Sequence, residues 1–174
     1  MTLRRPRGPS GPRAEPESPE LRDPQSVRLA ALRLLAGRDF AAADLRTRLE
    51  ARGFATQAVR TVIDELSASG ALNESRFAEN YVTWHAGRGH GPVRIKADLR
   101  RLGIPEPLIE AAIAAGPDWA SLAGRVCQGK FGARAPQSWP EKARRLRFLQ
   151  YRGFSADHIR AATDADPDWT EELE

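Results

Sequence analysis

Gly53, Gly103 and Gly153 stand fifty residues apart, and each is followed by a large apolar residue, Phe54, Ile104 or Phe154. The register extends in both directions. A leucine precedes each glycine by four residues (Leu49, Leu99, Leu149), and Val59, Ile109 or Ile159 follows it by six. Pro117-Asp118-Trp119 recurs at Pro167-Asp168-Trp169. A fixed period over much of a chain marks a repeat architecture, in which one small unit is used several times. The spacing predicts a helical unit used three times, working through an extended surface rather than a pocket.

Composition agrees with helices. Charged residues make up 29% of the chain and aromatics 7%, which suits amphipathic helices better than a sandwich rich in β-branched and aromatic side chains. The formal net charge of +4 is a modest pointer toward an anionic partner. A single cysteine, Cys127, excludes an internal disulfide, as expected in a reducing compartment. The arginine-containing start has no apolar core of a secretory signal, and no run approaches the roughly 18 apolar residues of a membrane span. The expectation is a soluble, cytoplasmic, monomeric protein.

Residues 1–24 are rich in Pro, Arg, Gly and Glu and read as a disordered tail, because they offer too little apolar surface to offset the entropy of ordering. Three three-helix repeats follow, at 25–72, 73–116 and 117–165, and then an acidic tail at 166–174. The predicted class is all-α, a tandem array of about nine helices, elongated and curved. Local signals mark the boundaries. Asn73 is a candidate N-cap. Gly91-Pro92 opens a helix where proline's missing N–H costs nothing. Ser138 and Glu141 have the spacing of a capping box. Each of the three spaced glycines is expected to end the middle helix of its repeat in a left-handed turn.

Catalytic constellations are hard to find. His85 and His90 are five residues apart and cannot share a helix face, and Gly87 and Gly89 interrupt the helix between them. With one cysteine and His158 far along the chain, no metal site is expected. No phosphate-binding loop of the Walker type occurs. Cys127 falls at an apolar spacing with Leu122 and Val126 and reads as a buried thiol. Trp84, Trp119, Trp139 and Trp169 read first as packing residues. No catalytic, cofactor or metal residue is assigned.

Charge on helix faces remains. In the second repeat Arg94, Lys96, Arg100 and Arg101 flank an Ile95–Leu99–Leu102 stripe and Arg88 precedes it, with only Asp98 to offset them. Lys142, Arg144, Arg145, Arg147 and Arg152 occupy the matching helix of the third repeat, with Glu141 the one acid. In the first repeat Arg46, Arg48 and Arg52 are partly balanced by Asp44 and Glu50. The middle helix of each repeat is its basic one, and stacked repeats could align these helices into a band. Arg94, Lys96, Arg100, Arg101, Lys142, Arg144, Arg145 and Arg152 are therefore the candidate partner-binding residues. The plainer alternative is that they are solvated helix formers.

The stretch Gly70-Ala-Leu-Asn73-Glu-Ser-Arg76-Phe77-Ala78, then Tyr81-Val82, Gly89-His-Gly91-Pro92-Val-Arg94-Ile95 and Gly103-Ile104, resembles the RecX family of bacterial RecA regulators. Arg147-Phe148-Leu149 and Arg152-Gly153-Phe154 extend the resemblance, which covers about residues 26 to 165. One departure is Ala41, where the family usually has a capping serine. Losing a cap costs roughly 0.5–2 kcal/mol, and Asp39 is positioned to cap slightly earlier. The resemblance implies tandem three-helix repeats without catalytic residues. It also implies a role in DNA repair, recombination and the SOS response: binding RecA or the RecA–DNA filament and inhibiting its recombinase, ATPase and co-protease activities, by lying in the filament groove or by blocking extension. Auxiliary DNA contact would accompany this. The alternative is a helical repeat protein that binds nucleic acid directly.

Overall fold

The computed structural model describes residues 19–163. The segments 1–18 and 164–174, and with them most of the expected N-terminal tail, the acidic C-terminal tail and the second Pro-Asp-Trp, lie outside the described residues. Among the described residues the regular structure is helical: a 3-10 turn at Pro19–Leu21 and nine α-helices. The repeats are α1 (Pro24–Leu35), α2 (Ala42–Ala51) and α3 (Thr56–Ala68); α4 (Glu74–Gly87), α5 (Pro92–Arg101) and α6 (Glu106–Ala114); α7 (Trp119–Phe131), α8 (Trp139–Tyr151) and α9 (Ala156–Thr163). The chain is an all-α tandem of three-helix repeats.

Residues 19–24, which the sequence reading assigns to the N-terminal tail, hold the 3-10 turn, the Asp23 cap and the first residue of α1. The carbonyl of Leu21 accepts the N–H of Ala55 at 2.8 Å, and its side chain lies against Gly53. One leucine in an otherwise polar stretch is enough once a turn is there to receive it.

The first helix of every repeat is capped by an Asx side chain. Asp23 accepts from the backbone of Gln25 and Ser26, Asn73 from Arg76, and Asp118 from Ala120 and Ser121. Each satisfies donors that the helix itself cannot pair. The capping box at α8 is not formed as expected. Ser138 is extended and its side chain makes no capping bond, whereas Glu141 Oε2 accepts the N–H of Gln137 at 2.7 Å. Pro140 removes one of the backbone donors that such a serine uses.

Each middle helix ends in the same motif. Gly53, Gly103 and Gly153 have φ of 91°, 79° and 86°, a region only glycine enters without strain. The glycine N–H donates to the carbonyl three residues back, and the next residue donates to the leucine five back: Phe54 to Leu49, Ile104 to Leu99 and Phe154 to Leu149. This is a Schellman cap, with its usual apolar contact between the residue after the glycine and the last helical turn. Leu49, Leu99 and Leu149 are fully buried. The Leu-x-x-x-Gly-apolar signature is therefore the sequence trace of a helix stop that also seals a core.

The chain divides into two compact units, one of residues 19–38 and 45–71, the other of 39–44 and 72–163. In the first unit Val27, Ala31, Leu45, Leu49, Val59, Val62, Ile63 and Leu66 are buried. The second unit holds two cores. One joins Ala41 to Ala78, Val82, Ile95, Leu99, Ile104 and Ile109; the other joins Ala86 to Leu122, Ala123, Leu146, Leu149, Phe154 and Ile159. Trp119 packs against both and donates its Nε1–H to the carbonyl of Ile113 at 3.2 Å, tying repeat 2 to repeat 3.

Candidate partner-binding surface

The second unit carries all eight candidate residues, and their surroundings sort them into two kinds. On α5 each cation has an acid. Arg100 makes a bidentate pair with Glu106, Nε at 2.9 Å and Nη2 at 2.5 Å. Lys96 reaches both oxygens of Glu110 at 2.6 and 2.7 Å. Asp98 pairs with Arg101 and lies 3.9 Å from Arg94. The expectation that only Asp98 offsets this helix is corrected, because α6 folds back on α5 and supplies Glu106 and Glu110. Arg100 and Arg101 are exposed, so their pairs are of the kind worth little in water. Their effect is to reduce the net field of α5.

On α8 the cations meet carbonyls and rings. Arg145 donates from Nη2 to the carbonyl of Arg134 at 2.7 Å, and its guanidinium lies over Phe131, 5.5 Å from the centroid. Arg152 donates from Nη1 to the carbonyl of Arg88 at 3.1 Å and lies 5.2 Å from the Phe148 centroid. These two side chains brace the fold. Arg144 is exposed and shares a shallow groove with Ser138, Pro140, Glu141 and Arg147. Lys142 is half-buried.

Arg152 belongs to a joint between repeats 2 and 3. Gly91 donates to the carbonyl of Arg152 at 2.8 Å, and Val93 to that of Gly153 at 3.0 Å. The start of α5 is thus hydrogen-bonded to the glycine turn after α8. The contact is backbone on backbone: a Cβ on Gly91 would run into the Gly153 carbonyl, and one on Gly153 would run into Arg94.

His85 and His90 meet beside this joint, although they share no helix face. Gly89, at φ 76°, turns the chain back so that His90 N donates to the carbonyl of His85 at 3.1 Å. Their Nδ1 atoms then lie 2.9 Å apart. Tyr81 stacks on His85 with centroids 4.0 Å apart, and Trp84 meets it edge-on at 4.7 Å. Burial pulls both imidazoles below the usual histidine pKa, and Arg94 adds to it while Asp98 opposes. Burial likewise pushes the Cys127 thiol up, against the neighbouring Arg145. Among the described residues no cluster of three or more His, Cys, Asp and Glu side chains is arranged to hold a metal ion, and no helix is long and apolar enough to cross a membrane.

A tandem of three-helix repeats, with charge displayed on helix faces rather than gathered in a cleft, defines a class of all-α helical-repeat proteins. The chain belongs to the RecX family. Family models for the first, second and third three-helix domains of RecX match residues 28–66, 73–113 and 120–163. Regulatory protein RecX of Halorhodospira halophila is 42% identical over 142 residues, covering 81% of this chain and 88% of that protein. Regulatory protein RecX of Pseudomonas fluorescens is 37% identical over 135 residues, covering 77% and 87%. The crystal structure of RecX from Lactobacillus salivarius superposes with a TM-score of 0.71 over 81% of this chain and 94% of that one, at 20% identity, so it supports the fold.

Proposed function

We propose that this chain is a non-enzymatic regulator that binds RecA or the RecA–DNA filament and lowers its recombinase, ATPase and co-protease activities. Membership of a family whose relatives are named regulatory proteins carries the reading. The repeat architecture supports it physically. A filament presents the same surface on every protomer, and linked repeats can engage equivalent patches with avidity that no single contact would provide. The protein is expected to work as a cytoplasmic monomer, without cofactor or metal. The test is a titration of the full chain into RecA on single-stranded DNA at low salt, following ATP hydrolysis. Inhibition at substoichiometric amounts is expected. An unchanged rate across the whole titration would refute the reading.

A further inference from the structure

The end of α4 and the loop after it carry a titratable pair at the joint between repeats 2 and 3. The Nδ1 atoms of His85 and His90 lie 2.9 Å apart, within hydrogen-bond distance. Such a contact holds only while one Nδ1 carries a hydrogen and the other keeps its lone pair. A first proton, added at the donor ring's free Nε2, leaves that arrangement intact. A second makes both Nδ1 atoms donors and sets two cations against each other. His85 has little room to retreat, because Tyr81 stacks on it and Trp84 meets it edge-on. The surrounding charge comes from three helices. Arg88 at the end of α4 acts on His85, Arg94 of α5 on both rings, and Arg152 at the end of α8 on His90, while Asp98 of α5 opposes them. Asp98 is itself engaged by Arg101 and Arg94. Tyr81 stays neutral, its phenol pushed up by burial, and α7 presents the apolar Val126 to Gly89.

We propose that the His85–His90 pair is an acid-sensitive latch: once both rings are protonated they part, and the loop at 88–91 releases the glycine turn that follows α8. Latch and joint are continuous in the chain. His90 and Gly91 share one planar peptide, and that peptide carries the N–H that the Arg152 carbonyl accepts at 2.8 Å. Turning His90 away from His85 therefore draws a joint donor off its acceptor. The Val93–Gly153 bond, at 3.0 Å, follows within one turn. Arg152 is affected twice, since it donates to the Arg88 carbonyl and faces the new charge on His90. The direction with pH follows from proton counts. Opened, each ring returns to the ordinary value of 6.5; latched, the pair keeps at most one proton. Below that value the open form gains up to about tenfold in relative population per pH unit. The latch concerns how repeats 2 and 3 are held together, whatever partner they engage.

Amide hydrogen exchange of the full, isotope-labelled chain tests the latch with no partner present. It is followed by NMR from about pH 6.5 to 5 and corrected for the intrinsic rate. The Gly91 and Val93 amides are expected to lose protection at least about tenfold over that range. Ile104, bonded to the Leu99 carbonyl at 3.1 Å in the same unit, reports global opening and should change less than about threefold. His90→Asn keeps an acceptor where the His90 Nδ1 stands and does not titrate, so it should hold the joint amides at their starting protection. Where that variant fails to fold, the ring nitrogens of the native chain decide. Long-range proton–nitrogen spectra near neutral pH should show one ring protonated at Nδ1 and the other at Nε2, and the pair should take up its protons in two separate steps. Joint amides that fall in step with Ile104, or keep their protection after both rings are charged, overturn the proposal. So do His90→Asn amides that lose protection as the native ones do, or two rings both protonated at Nε2.

Discussion

Replacing Gly153 by alanine tests the joint between repeats 2 and 3 against the other two glycine turns. All three glycines have positive φ, so each Gly→Ala change carries a left-handed penalty of roughly 1–2 kcal/mol. Alanine's smaller unfolded-state entropy offsets up to about 1 kcal/mol of that. At Gly53 the new methyl has room, its nearest neighbour being a Leu21 methyl at 3.5 Å; at Gly103 it meets the Ala43 Cβ at 3.3 Å. G53A and G103A should therefore cost about 1 kcal/mol. At Gly153 the methyl meets the Arg94 Cβ and lies 2.7 Å from the Arg94 backbone nitrogen. Relief requires α5 to back away, stretching the Gly91–Arg152 and Val93–Gly153 bonds. Overpacking of about 1–3 kcal/mol and two weakened hydrogen bonds of about 0.5–1.5 kcal/mol each, added to the turn penalty of about 1 kcal/mol, bring the expected cost to about 3–7 kcal/mol. G91A isolates the steric part, because Gly91 has an ordinary φ of −85° and its methyl would strike the Gly153 carbonyl. Urea denaturation followed by circular dichroism measures the series, with m-values compared to confirm that the unfolding unit is unchanged. The sharpest comparison is G153A with G103A, since both lie in the second unit. A difference below about 0.5 kcal/mol, within what independent surface changes produce, would refute the joint.

Stability should also respond to acid. His85 and His90 sit below the ordinary value of 6.5, so between that value and their folded pKa the unfolded chain binds more protons. Their contribution is complete above about pH 6.5 and is lost as pH falls through the folded pKa. H85Q/H90Q should flatten the stability profile between pH 7 and 5; a profile as steep as wild type would assign the loss to His158, which burial also lowers, or to carboxylates. The two caps give a paired prediction in thermal or urea melts. Asp118→Ala should cost about 0.5–2 kcal/mol, because Asp118 accepts from two backbone donors and from the Ser121 hydroxyl. Ser138→Ala, at a position with no capping bond, should cost a few tenths at most. Equal losses would contradict the capping assignments.

What was legible in the sequence was local. A Schellman cap is complete within six residues, so Leu149, Gly153 and Phe154 announce it without reference to the rest of the chain, and the same holds for the Asx cap at Asn73. What was not legible depends on which elements meet. Glu106 and Glu110 neutralise α5 only because α6 folds back beside it. His85 and His90 meet through a loop, so a rule about helix faces misses them. Arg145 and Arg152 share the composition of Arg144 but meet carbonyls and rings supplied by other segments, which separates bracing from display.

The fifty-residue period has a geometric origin in two equivalent joints. The start of α2 meets the Gly103 turn through Ala43, and the start of α5, fifty residues on, meets the Gly153 turn through Gly91 and Arg94. Spacing is held because two distant points must stay in register: the opening of one middle helix and the glycine stop of the next. Position 41 illustrates the constraint. A serine there would cap α2, but Ala41 is fully buried in the repeat 2 core beside Ile104, where a hydroxyl would need a partner. The capping duty moves to Glu74, whose Oε1 accepts the N–H of Ala42 at 2.9 Å. Asp39 is drawn to the same helix, accepting from Arg76 at 2.9 Å and Asn80 at 2.8 Å, and the Arg76 bond holds its carboxyl below the usual aspartate range. A position that looks like a lost cap is thus a packing position, with the polar work transferred to α4. Arg144 and Arg147 of α8 take no part in these joints and stay exposed.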